Sequence, residues 1–152
     1  MRIAGTMNCS LVNGDGCRYV IFLQGCPHHC KGCQNPDTWN PKGGQEISIN
    51  ELIWRSPFTQ KIIDGVTLSG GDPFMQQEEC LEYLKYIPAW WNVWIYTGYL
   101  YEEIKDTELA KRADFIVDGK FERDKLVEGW YGGSSNQRLI DVKKGRILMY
   151  GE

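Results

Sequence analysis

The sequence predicts an α/β fold, an open partial (β/α) barrel with a short C-terminal β extension. Three observations carry that expectation. Short apolar runs alternate with helix-like segments, the pattern of parallel strands joined by right-handed crossovers. About four such units are present, too few to close an eight-stranded barrel. The chemically notable residues fall just after the apolar runs, where ligands collect at the carboxyl ends of parallel strands.

Tyr19 to Gln24 reads as the first buried strand, and a cysteine-containing loop follows from Gly25 to about Gly44. Ser48-Ile49-Asn50-Glu51 is a capping-box pattern that opens a short helix through Leu52, Ile53 and Trp54, ended or bent at Pro57. Val66-Thr67-Leu68-Ser69 is the second strand, closed by Gly70-Gly71. Asp72 then reads as an N-cap with Pro73 in the first helical position. The helix runs to about Ile87, with Cys80, Leu81, Leu84 and Ile87 on one face, and Pro88 stops it.

Val93 to Tyr96 is the third strand, turning at Thr97-Gly98. Tyr101 to Ala110 reads as helix, and Phe115-Ile116-Val117 as the fourth strand, leading into Asp118-Gly119-Lys120. Gly129 to Asn136 is loop-like. Arg138 to Val142 and Arg146 to Tyr150 are two short strands joined across Lys143-Lys144-Gly145. No internal repeat or linker divides residues 1–152, so one domain is expected.

Composition narrows the function class. A net charge of −3 gives no basic footprint for a nucleic-acid backbone. No apolar stretch approaches the roughly 20 residues that span a bilayer. The N-terminal Met1-Arg2-Ile3-Ala4-Gly5-Thr6 does not lead into the apolar region of a signal peptide, so a cytoplasmic, reducing location is expected. There, clustered cysteines favour metal binding or catalysis over disulfides.

Cys26, Cys30 and Cys33 form a C-x3-C-x2-C loop directly after the first strand. Three thiolates are one fewer than the corners of a four-iron cluster. Clusters that only carry electrons are normally held by four thiolates. One held by three keeps an iron open, as a catalytic zinc keeps an open position. Zinc is the competing reading, with His28 or His29 completing a Cys3His set, although no second C-x2-C knuckle is present. The histidines also read as a shield beside the metal. Gly70-Gly71 lets backbone groups approach a ligand, and the Asp72 carboxylate can cap the helix or accept a ligand's ammonium hydrogen. Cys9, Cys17 and Cys80 read as buried small hydrophobes. Trp90-Trp91-Asn92-Val93-Trp94 reads as core and rim packing, with a partner-facing patch as the other possibility.

In order, these motifs resemble the radical S-adenosylmethionine (radical SAM) family. Within it the likeness is to the activating proteins of anaerobic ribonucleoside-triphosphate reductase. The matching pieces are Val12 to Gly16 with Arg18, Gln24 to Cys33, Asn35 to Trp39, Leu68 to Pro73, Tyr96 to Tyr99, Val117 to Phe121 and Gly133 to Arg138. They span nearly the whole chain.

The resemblance implies that Cys26, Cys30 and Cys33 ligate a [4Fe-4S] cluster whose open iron chelates the methionyl end of S-adenosylmethionine. Gly70, Gly71 and Asp72 would line that end, with the main chain of Gly32, Cys33 and Gln34 against the cofactor. It further implies reductive cleavage to methionine and a 5′-deoxyadenosyl radical, and transfer of a glycine Cα hydrogen from the large reductase subunit. A flavodoxin-like protein would donate the electron. Asp118 and Lys120 would help hold the cofactor or form a simple ion pair.

Three positions depart from the family pattern. Cys17 stands where a small or aliphatic residue is usual, Gln34 where an aromatic is common, and Gly132 where an Arg is expected. Rival readings are an activase of another glycyl-radical enzyme, an enzyme like 7-carboxy-7-deazaguanine synthase, and a zinc-binding or electron-carrying module without enzyme activity.

Overall fold

In the computed structural model, β-branched and aromatic runs assemble one mixed sheet, and residues 1–33 and 35–152 are described. Gln34, an expected cofactor contact, lies outside the described residues. The strands are β1 (Arg2–Ser10), β2 (Arg18–Leu23), β3 (Gln45–Glu46), β4 (Gly65–Gly70), β5 (Asn92–Tyr96), β6 (Phe115–Asp118), β7 (Arg138–Asp141) and β8 (Arg146–Leu148). The helices are α1 (Ile49–Arg55), α2 (Gln77–Leu84), α3 (Tyr101–Ile104) and α4 (Glu108–Arg112). The sheet order is β3-β1-β2-β4-β5-β6-β7-β8.

The four expected strands form its parallel centre, with Tyr19 opposite Val66, Val66 opposite Val93 and Ile95 opposite Ile116. Antiparallel pairs flank them: β3 and β1 on one side, β7 and β8 on the other. The α/β class therefore holds, and so does the C-terminal β extension. β1 and β3 were not expected. Most of β1 is exposed or half-buried, so its residues carry little of the alternation that marks a strand.

Two predicted helices are shorter than expected. Asp72 does cap a turn, its Oδ1 accepting from Phe74 N at 3.0 Å, but that turn is a 3-10 segment over Pro73–Gln76. The Gln76 side chain is drawn onto the β1–β2 backbone, donating to Arg2 O (2.8 Å) and Gln24 O (3.0 Å) and accepting from Arg2 N. Its φ of −135° breaks the helical path, so α2 begins only at Gln77. In the 101–110 segment, Thr107 interrupts the helix. Its hydroxyl accepts from Ala110 N at 3.2 Å and caps α4 anew. At α1 the Ser48 cap is as expected, while Glu51 turns its carboxylate to Arg55.

Alternation along the strands divides the sheet into two faces. Tyr19, Ile21 and Leu23 of β2, with Val66, Leu68, Val93 and Ile95, pack against Cys80, Tyr83, Leu84 and Leu109 of the helices. The opposite face carries Trp94, Val117 and Leu139 in a smaller cluster, with Arg18 fully buried among them. The Arg18 guanidinium spreads its five N–H groups over Thr67 Oγ1 (3.1 Å), Val66 O (2.8 Å), Asn92 O (3.1 Å), Asp15 O (3.3 Å) and Asn92 Oδ1. Burial pushes its pKa down to about 10, opposed by Asp64 and other nearby groups, so it stays charged at neutral pH.

One expectation about the cysteines is corrected. Cys9 and Cys17 are joined in a disulfide, and Cys9 is exposed rather than buried. The β1–β2 register, with Ser10 opposite Arg18, brings their Cα atoms to 5.4 Å. Because β1 left no clear trace in the sequence, that proximity was hidden. Cys80 is buried and free, as expected.

Replacing Arg18 by Leu strands several buried acceptors of which each costs about 1–3 kcal/mol. The expected loss of stability is about 3 kcal/mol or more, read from the midpoint of denaturant unfolding. An unchanged midpoint would show that the buried guanidinium is not a fold determinant.

Candidate active site

The loops after β2, β4, β5 and β6 converge on one cleft of about 380 Å³. Cys26, Cys30 and Cys33 line it together with Gly70, Gly71, Thr97, Gly98 and Gly119. Across from them, the segment from Val127 to Gly133 and Gln137 complete the wall.

The cysteine loop is shaped by its own backbone. Gly25 N donates to Thr38 O (2.6 Å) and Cys26 N to Trp39 O (3.1 Å), folding the loop back on residues 36–39. The Gln24 side chain secures that fold by donating to Asp37 O and Asn40 O. Cys33 N donates to Cys30 O at 3.0 Å, and Cys33 Sγ accepts from Asn35 N at 3.3 Å. All three thiols are free and half-buried. Burial pushes the Cys26 thiol above its ordinary range, while the backbone N–H groups of His28 and His29 pull it back. Binding a metal here therefore releases a proton.

The cysteines partition cleanly by chemistry. Cys9 and Cys17 are bonded to each other. Cys80 lies inside the core with its thiol pushed far up by burial, so it is held protonated. Three thiols on one loop, facing one cleft, remain. Among the described residues, no group of three His, Cys, Asp or Glu side chains is arranged to hold a single metal ion. His28 Nε2 is engaged by Asp72, and His29 is stacked on Trp39 with ring centroids 4.7 Å apart. Three free soft thiolates are the donor type that iron–sulfur groups take.

Asp72 takes the capping role that was one of its two expected ones. Its carboxylate is 1% exposed and faces the protein. Oδ2 receives His28 Nε2 at 2.6 Å, Thr97 Oγ1 at 2.8 Å and Gly98 N at 2.9 Å, while Oδ1 caps Phe74 N. One carboxylate thereby ties the cysteine loop, the Gly-Gly-Asp-Pro turn and the Thr97-Gly98 turn together. His28 packs edge-on against Tyr99, with centroids 4.5 Å apart. The cleft surface at this point is formed by His28, Thr97 and Gly98 rather than by Asp72.

Gly70 and Gly71 stand at the cleft wall. Gly70 has φ of +117°, a backbone state that side chains disfavour. A Cβ on Gly71 would lie 2.5 Å from Gly25 O, so the turn is fitted to the β2 end as well as to any ligand. Gly32 is exposed at the rim of the same loop. Asp118 does not pair with Lys120, which is exposed. It receives Arg138 Nε at 3.1 Å and Tyr101 N at 2.7 Å. These contacts hold Arg138 firmly in its charged form.

The far wall is built from residues that the sequence marked as matching pieces or departures without giving them a role. Gln137 is buried beside the cleft, accepting from Ser134 N and donating to Gly119 O. Gly132 is packed against it, since a Cβ would lie 2.7 Å from Gln137 Cβ. That contact accounts for a glycine where an arginine was expected. Tyr96 Oη donates to Tyr131 O at 2.9 Å and fastens the far wall.

Residues 12–140 match the family of the 4Fe-4S single cluster domain. The chain is 41% identical over 137 residues to an anaerobic ribonucleoside-triphosphate reductase-activating protein of Enterobacteria phage T4, covering 86% of this chain and 88% of that protein. The protein of the same description from Escherichia coli (strain K12) is 34% identical over 138 residues, with 84% and 90% covered. A pyruvate formate-lyase-activating enzyme of Clostridium pasteurianum is 41% identical over 88 residues, 55% of this chain and 37% of that protein.

Replacing Asp72 by Ala removes the shared acceptor of three loops. In metal-free protein, alkylation of Cys26 and Cys30 should quicken about tenfold, the factor that about 1.4 kcal/mol of lost closure gives. An unchanged labelling rate would mean that Asp72 does not organise the cysteine loop.

Proposed function

The chain belongs to the 4Fe-4S single-cluster family, and from that premise we propose that it is a radical SAM activase which installs a glycyl radical on anaerobic ribonucleoside-triphosphate reductase. The observation that carries this reading is the gathering of three free thiols and the Gly70-Gly71 turn on one cleft. Its support from relatives is that proteins named for activating that reductase align over most of their length and most of this chain.

In this reading Cys26, Cys30 and Cys33 hold a [4Fe-4S] cluster and leave one corner without a side-chain ligand. When bound, the cluster would supply a low-potential electron for reductive cleavage of S-adenosylmethionine to methionine and a 5′-deoxyadenosyl radical, which would take a hydrogen atom from a glycine Cα. The chain's own residues bind and shield. Gly70 and Gly71 present backbone to the methionyl end, with Gly32, Cys33 and Gln34 offering main chain beside it. Asp72 acts from behind the wall by fixing His28 and Thr97. The Asp118–Arg138 pair steadies the β6 end from which Gly119 enters the cleft. Excluding water from such a site protects a reactive radical.

The sheet is read as an open partial barrel within a single domain over residues 1–152, its cleft wide enough for a protein segment. A reduced flavodoxin-like protein supplies the electron, and the protein works in the cytoplasm. No helix among the described residues is long and apolar enough to cross a membrane.

Cysteine variants test the assignment. Cys30→Ala should abolish S-adenosylmethionine cleavage by anaerobically reconstituted protein while leaving the thermal melt of the metal-free chain nearly unchanged. Cys80→Ser should keep its iron content, because that thiol stays protonated in the core. Cleavage retained in Cys30→Ala, or iron lost in Cys80→Ser, would show that the wrong sulfurs were assigned.

A further inference from the structure

Two aliphatic pairs stand at the mouth of the cleft. Leu11 is 75% exposed and Val12 83%, in the turn between β1 and β2, and Leu126 is 61% exposed beside Val127. Val12 and Val127 border the cleft. Tyr131 Oη donates to Asp15 Oδ2 at 3.4 Å, joining the two segments into one rim.

The turn that carries Leu11 is braced. The Cys9–Cys17 disulfide closes its base. Above it, Thr67 Oγ1 donates to Asn13 O (2.6 Å), Ser10 Oγ to Asn13 Oδ1 (2.6 Å) and Arg18 to Asp15 O. Leu126 is held by a bridge to Ser134, and Val127 N donates to Gly133 O at 3.2 Å. Braced, exposed aliphatics remain in water without gaining conformational freedom. Ordered apolar anchors of this kind lower the ordering cost of protein association. Single exposed residues elsewhere, such as Trp54 and Ile62, do not border the cleft and need no partner.

A small substrate inside the cleft gains nothing from Leu11 and Leu126, which lie outside its lining. A protein whose backbone must enter the cleft has to cover them. We propose that this rim docks the protein that carries the target glycine, with Leu11 and Leu126 as apolar anchors and the hydrogen bonds of Asn13 and Asp15 holding the first of them in place. The inference rests on the activase reading and names the surface through which that activity works. The occupant is the large reductase subunit, presenting an apolar patch beside its glycine-bearing segment.

The test compares cluster-loaded wild-type protein with Leu11→Ser, Leu126→Ser and Trp54→Ser. Equilibrium affinity for the purified large subunit of the anaerobic reductase is measured alongside partner-free cleavage of S-adenosylmethionine under a chemical reductant. Leu11→Ser and Leu126→Ser should each weaken binding about tenfold. Cleavage should stay unchanged in all of them, and Trp54→Ser should bind as wild type. Undiminished affinity in either leucine variant, or an equal loss in Trp54→Ser, would overturn the proposal. Wild-type protein that cleaves S-adenosylmethionine but neither binds nor activates the reductase would instead remove the activase reading on which it stands.

Discussion

Asp72 is the constraint on which the site depends. Its carboxylate is inside the protein, and a buried charge is costly unless every lone pair is used. Here each oxygen is used, by Phe74 N, Gly98 N, Thr97 Oγ1 and His28 Nε2. Three turns that leave three different strands are therefore set relative to one another by a single group. Without it, the cysteine loop would keep its bonds to residues 36–40 and the bond from Asp72 N to Gly25 O, and would lose its tie to the Thr97-Gly98 turn.

A second buried charge works at the other end of the same strands. Arg18 gathers carbonyls of Asp15, Val66 and Asn92, joining the β1–β2 turn to the start of β4 and the start of β5. The parallel centre is thus clasped at both ends by polar hubs, while its helix-facing surface is ordinary apolar packing. This arrangement suits a small chain. Few helices cover the sheet, so the cleft face must be organised by hydrogen bonds, and such a face can offer fixed dipoles to a charged ligand.

Much of this was legible in the sequence. The apolar runs at Tyr19, Val66, Val93 and Phe115 are buried on both sides and carry little polar interruption, so their strands were plain. The cysteine spacing and its place after the first strand pointed to the cleft. Hidden were the features that depend on pairing across long separations. β1 is mostly exposed, so its partnership with β2 and the Cys9–Cys17 bond left no local trace. The capping role of Asp72 was legible from its place before Pro73, while its bonds to the other two loops were not. Its true neighbours, His28 and Thr97, lie 44 and 25 residues away. The split at Thr107 was lost for a different reason: the apolar period continues through it, while its capping hydroxyl acts only locally.

The proposed activity stands or falls on whether a cluster held by the three loop thiols keeps a corner open to the amino-acid end of S-adenosylmethionine. The most direct measurement is paramagnetic resonance of the reduced, reconstituted protein with S-adenosylmethionine carrying ¹⁵N at its amino group. A changed cluster signal with hyperfine coupling to that nitrogen is expected, in protein holding about four irons per chain. A signal indifferent to the compound, or a cluster whose every iron is ligated by a side chain, would contradict it.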